Sequence, residues 1–189
     1  MKKLLLLVLA LVMTLTLVAC GGETTSSEVT PTIEPTVETT PAVALEDVTT
    51  DKGVRLKLPS DMTLQDNTDK TYYANATTYD IAVITELDGG MGTYAEVTQE
   101  EYVAANLSGE IDLKVISYEN NLKINGYDAL LCKSSFATED GDALTSAMVM
   151  ITNGTREYGV LFMYPSDNTD SSLATNLQAC IDSISIPTE

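Results

Sequence analysis

Ile124-Asn125-Gly126-Tyr127, Glu139-Asp140-Gly141-Asp142 and Thr152-Asn153-Gly154-Thr155 divide the region from Leu113 to Tyr164 into runs rich in β-branched, aromatic and aliphatic residues. An Asn-Gly or Asp-Gly pair between such runs predicts a β-hairpin, because both central residues of a type I′ turn need positive φ. The runs read as strands over Leu113 to Tyr118 and Leu122 to Ile124, then Tyr127 to Thr138, Asp142 to Thr152 and Arg156 to Tyr164. The product is an antiparallel meander. Ala147 to Ile151 and Val160 to Met163 are apolar without alternation, which predicts that the centre of the sheet is covered on both faces.

Covers are found on either side of this region. Downstream, Asp170 opens a helix predicted to run to about Ser183, with Leu173, Leu177, Cys180, Ile181 and Ile184 on one face. Upstream, Thr98-Gln99-Glu100-Glu101 fits a capping box and starts a helix to about Leu107, with Val103 and Leu107 as its buried pair and Gly109 placed to end it. Val54-Arg55-Leu56-Lys57-Leu58 alternates strictly and predicts a half-buried strand with its two cations facing water, ended by Pro59. Thr71 to Ala74 and Tyr79 to Leu87 are two more strands, pairing through the polar Asn75 to Thr78 connection, and Asp88-Gly89-Gly90 signals a turn after them. Helices on an antiparallel sheet make a layered α+β domain over residues 45–189.

Three segments resemble the PsbP-like and DcrB-like fold. Gly53 to Met62 is similar to that family's opening strand, proline and bulky residue, with Met62 where an aromatic is usual. Asn125-Gly126-Tyr127-Asp128-Ala129 is similar to its glycine turn into the long central strand. Tyr158 to Pro165, followed by Leu173 to Ile186, is similar to its last strand and closing helix, with Ser183-Ile184 at the place of a frequent Ser-Phe pair. The resemblance implies an antiparallel sheet flanked by helices, and a binding or accessory role rather than catalysis. Plant and cyanobacterial members attend photosystem II, but no site residue of theirs matches here, so the resemblance calls for no cofactor.

The N-terminus is a separate matter. Met1-Lys2-Lys3 is positively charged, and Leu4 to Val18 is an apolar run too short for a membrane span of about 20 residues. It ends in Leu17-Val18-Ala19-Cys20, which resembles the lipobox of a bacterial lipoprotein signal peptide. The resemblance implies removal of residues 1–19, lipid on Cys20 and attachment to the outer side of the cell membrane. Gly21 follows Cys20 where an aspartate would signal inner-membrane retention, which leans the reading towards a Gram-positive cell surface. Residues 20–44 are rich in Thr, Pro and Glu and include Pro31-Thr32-Ile33-Glu34 followed by Pro35-Thr36-Val37-Glu38, the composition of a disordered spacer.

Without Lys2 and Lys3 the chain has eight basic against 28 acidic residues, a net of −20. Phosphates need a basic footprint, so this balance argues against nucleic acid. It also makes lipid, not the domain surface, the expected link to the membrane. There is no histidine, which removes imidazole as general base, metal ligand or partner of a nucleophile. Cys132 and Cys180 remain after Cys20. If Cys132 points towards the last helix, they form a disulfide contributing about 2–4 kcal/mol; otherwise they are two buried thiols. Lys133, the nearest cation, alternates to the face opposite Cys132.

Tyr72, Tyr73 and Tyr79 lie close together in the first hairpin and make a candidate binding surface for an envelope protein or glycan. The acidic turns Asp66-Asn67-Thr68-Asp69, Glu139-Asp140-Gly141-Asp142 and Asp167-Asn168-Thr169-Asp170 supply hard oxygen ligands, but none completes an EF-hand pattern, and turn and cap chemistry accounts for them. The expectation is a non-catalytic, lipid-anchored binding or accessory domain for an envelope component or small ligand. A carboxylate-dependent enzyme acting on cell-wall glycans is the alternative, and a calcium-dependent structural module a weaker one.

Overall fold

The computed structural model describes residues 43–65, 70–87 and 93–188. Cys20, the spacer as far as residue 42, the Asp66 to Asp69 cluster and the expected turn at Asp88-Gly89-Gly90 lie outside the described residues. In chain order the elements are β1 (Leu45–Thr49), β2 (Arg55–Pro59), β3 (Thr63–Gln65), β4 (Thr71–Asn75), β5 (Asp80–Leu87), α1 (Gln99–Asn106), β6 (Ile111–Ile124), β7 (Tyr127–Ala137), β8 (Ala143–Thr152), β9 (Glu157–Pro165) and α2 (Ser172–Asp182). β1 and β2 form a separate antiparallel pair, and the other strands form a seven-stranded sheet in the order β3-β4-β5-β9-β8-β7-β6. β6 to β9 are the expected meander, and the β4–β5 hairpin joins it by pairing β5 with β9. This is the expected α+β architecture of an antiparallel sheet flanked by two helices.

The three hairpins form, but their turns differ. Asn125 (φ 49°) and Gly126 (φ 90°) make a two-residue connection between paired Ile124 and Tyr127, as a type I′ turn requires. The other two are wider. Residues 138–142 link paired Ala137 and Ala143, and residues 153–156 link paired Thr152 and Glu157. There only Gly141 and Gly154 take positive φ, and side chains complete the loops: Thr138 Oγ1 accepts from Asp142 N, and Asn153 Oδ1 accepts from Thr155 N and Arg156 N.

β6 is one strand where two were expected. Three register shifts interrupt its pairing with β7, and bulges of this kind spoil an edge strand as a template for further pairing. β1 and β3 are also additions. β1 covers the opening strand, placing Leu45 opposite Pro59 and Val48 opposite Leu56.

α1 begins as expected. Thr98 Oγ1 accepts from Glu101 N at 3.3 Å, and the Glu101 carboxylate accepts from Thr98 N at 2.9 Å. The carboxylate also accepts from Thr98 Oγ1 at 2.8 Å, and its two bonds, from Thr98 N and Thr98 Oγ1, hold the Glu101 carboxyl below its ordinary pKa. The helix stops at Leu107 (φ −128°) without a left-handed glycine, so Gly109 is not its cap. Its one fully buried residue is Tyr102, while Val103 and Leu107 are half-buried.

α2 is capped by Ser171 rather than Asp170. Ser171 Oγ accepts from Ala174 N at 2.9 Å and donates to Asp80 Oδ1 at 2.7 Å. Asp80 is fully buried on β5, and its other oxygen accepts from Leu173 N at 3.1 Å. Ser172 Oγ donates to Asp61 at 2.8 Å. The helix end supplies backbone donors and the positive end of its dipole, which is how a carboxylate is held in a core without a cation.

Alternation along the strands builds two cores on opposite faces of the sheet. On one face Ala82, Ile84, Ala147, Val149, Ile151, Val160 and Phe162 pack against Leu56 and Leu58 of β2 and Leu173, Leu177, Cys180 and Ile181 of α2. On the other, Leu130 and Cys132 meet Tyr94 and Tyr102, with Val97, Val103, Tyr118, Met148 and Met150 around them. The double cover expected from the unalternating strands is therefore present.

Candidate functional site

The two faces are covered differently. Where α2 lies, the apolar side chains of strand and helix close on each other. On the α1 face the cover is fastened at one end. Tyr118 Oη donates to Val97 O at 2.8 Å, Asn120 Nδ2 donates to Ala95 O and Val97 O, and Tyr94 Oη donates to the buried Glu157 carboxylate at 2.7 Å. The rings of Tyr102 and Tyr118 stack at 5.7 Å with a 50° tilt. These contacts tie residues 94–102 to the sheet, and a cavity of about 410 Å³ opens beside them, under the C-terminal half of α1.

The strand register makes its floor. Cys132 stands opposite Met148, which stands opposite Leu161; Ser134, Ser146 and Met163 form the next row, and Phe136 with Leu144 the third. Side chains of one row share a face because successive residues of a strand point to opposite sides. Tyr102, Asn106 and Leu107 of α1, with Glu110 beyond it, complete the lining. The volume falls within the roughly 300–1,000 Å³ typical of small-molecule sites.

Polar chemistry inside is sparse. Ser134 and Ser146 are both buried and their hydroxyls lie 2.8 Å apart, so one proton of the pair is used between them. Burial raises the pKa of the Cys132 thiol, so it is held as a neutral, weakly polar group and not as a thiolate nucleophile. Burial also pushes the Tyr102 phenol well above its ordinary pKa. Such a site favours an apolar body, with one or two places for a polar group.

Of the two readings of the cysteines, a disulfide or two buried thiols, the second holds, because the two are apart. Cys132 belongs to the core under α1 and Cys180 to the core under α2, with the sheet between them, and both thiols are free. Alternation decides this. Leu131 points to α2, so Cys132 points away, while Lys133 returns to the α2 face, where its Nζ lies 3.5 Å from Gln178 Oε1. Burial pushes the Cys180 thiol up to about 12.

The tyrosine surface is not assembled either. Tyr73 packs against the α2-side core, and burial raises its phenol; Tyr72, its neighbour on the strand, points to the other face. Tyr79 sits in the β4–β5 turn with φ 60° and is 70% exposed. Only Tyr72 shares the cavity's face, in the row Leu161, Val83, Tyr72.

Of the acidic turns, Thr138 bonds organise residues 139–142, and Asn168 donates to Thr78 O while accepting from Asp170 N. Among the described residues no three acidic or cysteine side chains converge as a metal-ligand group. The cavity itself was missed in the sequence. Its one signal is the alternation Cys132, Ser134, Phe136 on a strand whose other face is read as core.

Searches with family models and against curated proteins return no match. Solved structures do match. Cyanobacterial PsbP (CyanoP) from Synechocystis sp. PCC 6803 superposes with a TM-score of 0.52 at 13% identity, over 82% of this chain and 99% of that one. LpqN, described as involved in cell envelope biogenesis of Mycobacterium tuberculosis, gives a TM-score of 0.49 at 14% identity, over 77% and 92% of the two chains. A protein from Bacteroides thetaiotaomicron VPI-5482 gives 0.47 at 18% identity over 72% of this chain, which spans 46% of that one. At 13% identity the likeness to the cyanobacterial protein is one of fold, and the PsbP-like architecture expected from the sequence is what it shows.

Proposed function

We propose that this chain is an extracytoplasmic lipoprotein, anchored by lipid on Cys20, whose α+β domain is a non-catalytic binding module for a small ligand. One observation carries the binding part: the cavity of about 410 Å³ between α1 and the sheet, floored by Met148, Leu161 and Met163 and interrupted only by the Ser134–Ser146 pair. Its lining brings no two carboxylates together as acid and base, and its thiol is held protonated. That favours holding a ligand over transforming one. The lipobox and the Thr/Pro/Glu-rich composition of residues 20–44 support the tether, since the 24 residues from Gly21 to Ala44 would span at most roughly 80 Å between lipid and domain.

Titration with a solvatochromic apolar dye such as Nile red tests the binding module. Saturable one-to-one binding is expected in wild type, with loss on Leu161→Trp, which fills the cavity. Absence of saturable binding to folded protein rejects the module. For the tether, Cys20→Ser should abolish lipid labelling and release the protein from membranes; unchanged labelling of that variant rejects it.

A further inference from the structure

We propose that the cavity takes single-chain amphiphiles with a cationic head, in the order cationic, uncharged, anionic; this rests on the binding reading above. The shape sets the tail. Two rows of the floor, Met148 with Leu161 and Ser146 with Met163, run under α1, and the methionines are unbranched side chains that adapt to a flexible chain.

The charges set the head. The lining contains one ionisable carboxyl, Glu110, just beyond α1 and exposed to solvent, with Asn106 beside it and no lysine or arginine. The two ion pairs among the described residues, Lys123–Asp128 and Arg156–Glu86, leave Glu110 unpaired. An anionic head here would meet a like charge with no cation to offset it, in the field of a chain with 28 acidic and 10 basic residues. A quaternary ammonium meets the opposite situation, attraction by the Glu110 carboxylate with no cation in the lining to oppose it. An uncharged head loses the attraction but meets no repulsion.

The chain from Gly21 to Glu189, which keeps every described residue, would be titrated by calorimetry with decyltrimethylammonium, 1-decanol and decyl sulfate, each below its aggregation threshold. At low salt the cation should bind at least tenfold more tightly than the sulfate, and the gap should narrow as salt screens it. Leu161→Trp and, separately, Met163→Trp should abolish cation binding, and Glu110→Lys should reverse the order of cation and sulfate. If none of the three probes binds, the binding module itself falls. If decyl sulfate binds wild type as tightly as the cation, the head-group assignment falls while the module stands. Cation binding that survives both tryptophan variants would be surface adsorption and would overturn the site. Should the tryptophan variants fail to fold by circular dichroism, Glu110→Lys decides, because that position is exposed; an unchanged order there overturns the proposal.

Discussion

Replacing Asp80 by alanine should be among the most damaging changes in the domain, although Asp80 does not line the cavity. Its carboxylate is fully buried and accepts from Ser171 Oγ at 2.7 Å and Leu173 N at 3.1 Å. The 3.4 Å contact from Ser172 Oγ adds little, because that hydroxyl has one proton and donates it to Asp61 at 2.8 Å. Two bonds to a charged acceptor, at about 1.5–3 kcal/mol each, give a loss of roughly 3–6 kcal/mol. A domain stable by about 5–15 kcal/mol would lose a large share of that margin. Asp80→Asn keeps one acceptor oxygen and the volume but loses the charge facing the helix dipole, so its cost should be nearer 1–2 kcal/mol. Urea denaturation followed by circular dichroism, with the denaturant slope checked for each variant, measures both. A loss below about 1 kcal/mol for Asp80→Ala would refute the claim that this carboxylate fastens α2 to β5.

Other changes probe separate parts of the fold. Gly126→Ala should cost about 1–2 kcal/mol, since φ is 90° there, whereas Gly109→Ala, with a permissive backbone and open space, should be neutral or slightly stabilising; equal melting shifts for the two would contradict the turn assignment. Asn125 Nδ2 donates to Asp182 O and Ile184 O at the end of α2, so Asn125→Asp would set a carboxylate against two carbonyls and should lower stability by about 2 kcal/mol in the same urea assay. Cys180 should not react with a thiol reagent in native protein at neutral pH and should react in urea; fast labelling of Cys180 in the native chain would contradict its burial. With the Cys180 pKa raised from 9.0 to about 12, the unfolded chain loses that proton first. This contribution to stability is therefore intact below pH 9 and declines as pH rises towards 12. Urea melts at pH 8 and pH 10 check the sign, and greater stability at pH 10 would be the wrong outcome.

Legibility followed the range of the interaction that decides each feature. The capping box at Thr98 and Glu101, the Asn125-Gly126 turn and the apolar face from Leu173 to Ile181 depend on residues within a few positions of one another, and each is found where the sequence places it. Glycines are a weaker guide. Gly141 and Gly154 lie in hairpins whose loops are wider than two residues, because the strand register ends the pairing at Ala137 and Thr152. Gly109 marks no helix end, since Leu107 already leaves the helical conformation. Asp80 reads as the polar start of a strand, and its role appears only when α2, some ninety residues later, arrives with its N-terminus.

The amino-acid sequence alone determined the class of fold, the three hairpins of the meander, the two helices and the lack of imidazole chemistry, because periodicity, turn residues and the absence of histidine are properties of short stretches or of composition. Tertiary structure decided which face each side chain serves. A strand turns every second residue to the other side, so the sheet separates Cys132 from Cys180 and Tyr72 from Tyr73, pairs that lie within reach on paper. It also gathers Ser134, Ser146, Met163 and Glu110 from three strands and the link between α1 and β6 around one cavity. Their convergence depends on strand register and on where α1 is fastened, and neither is written in any single segment.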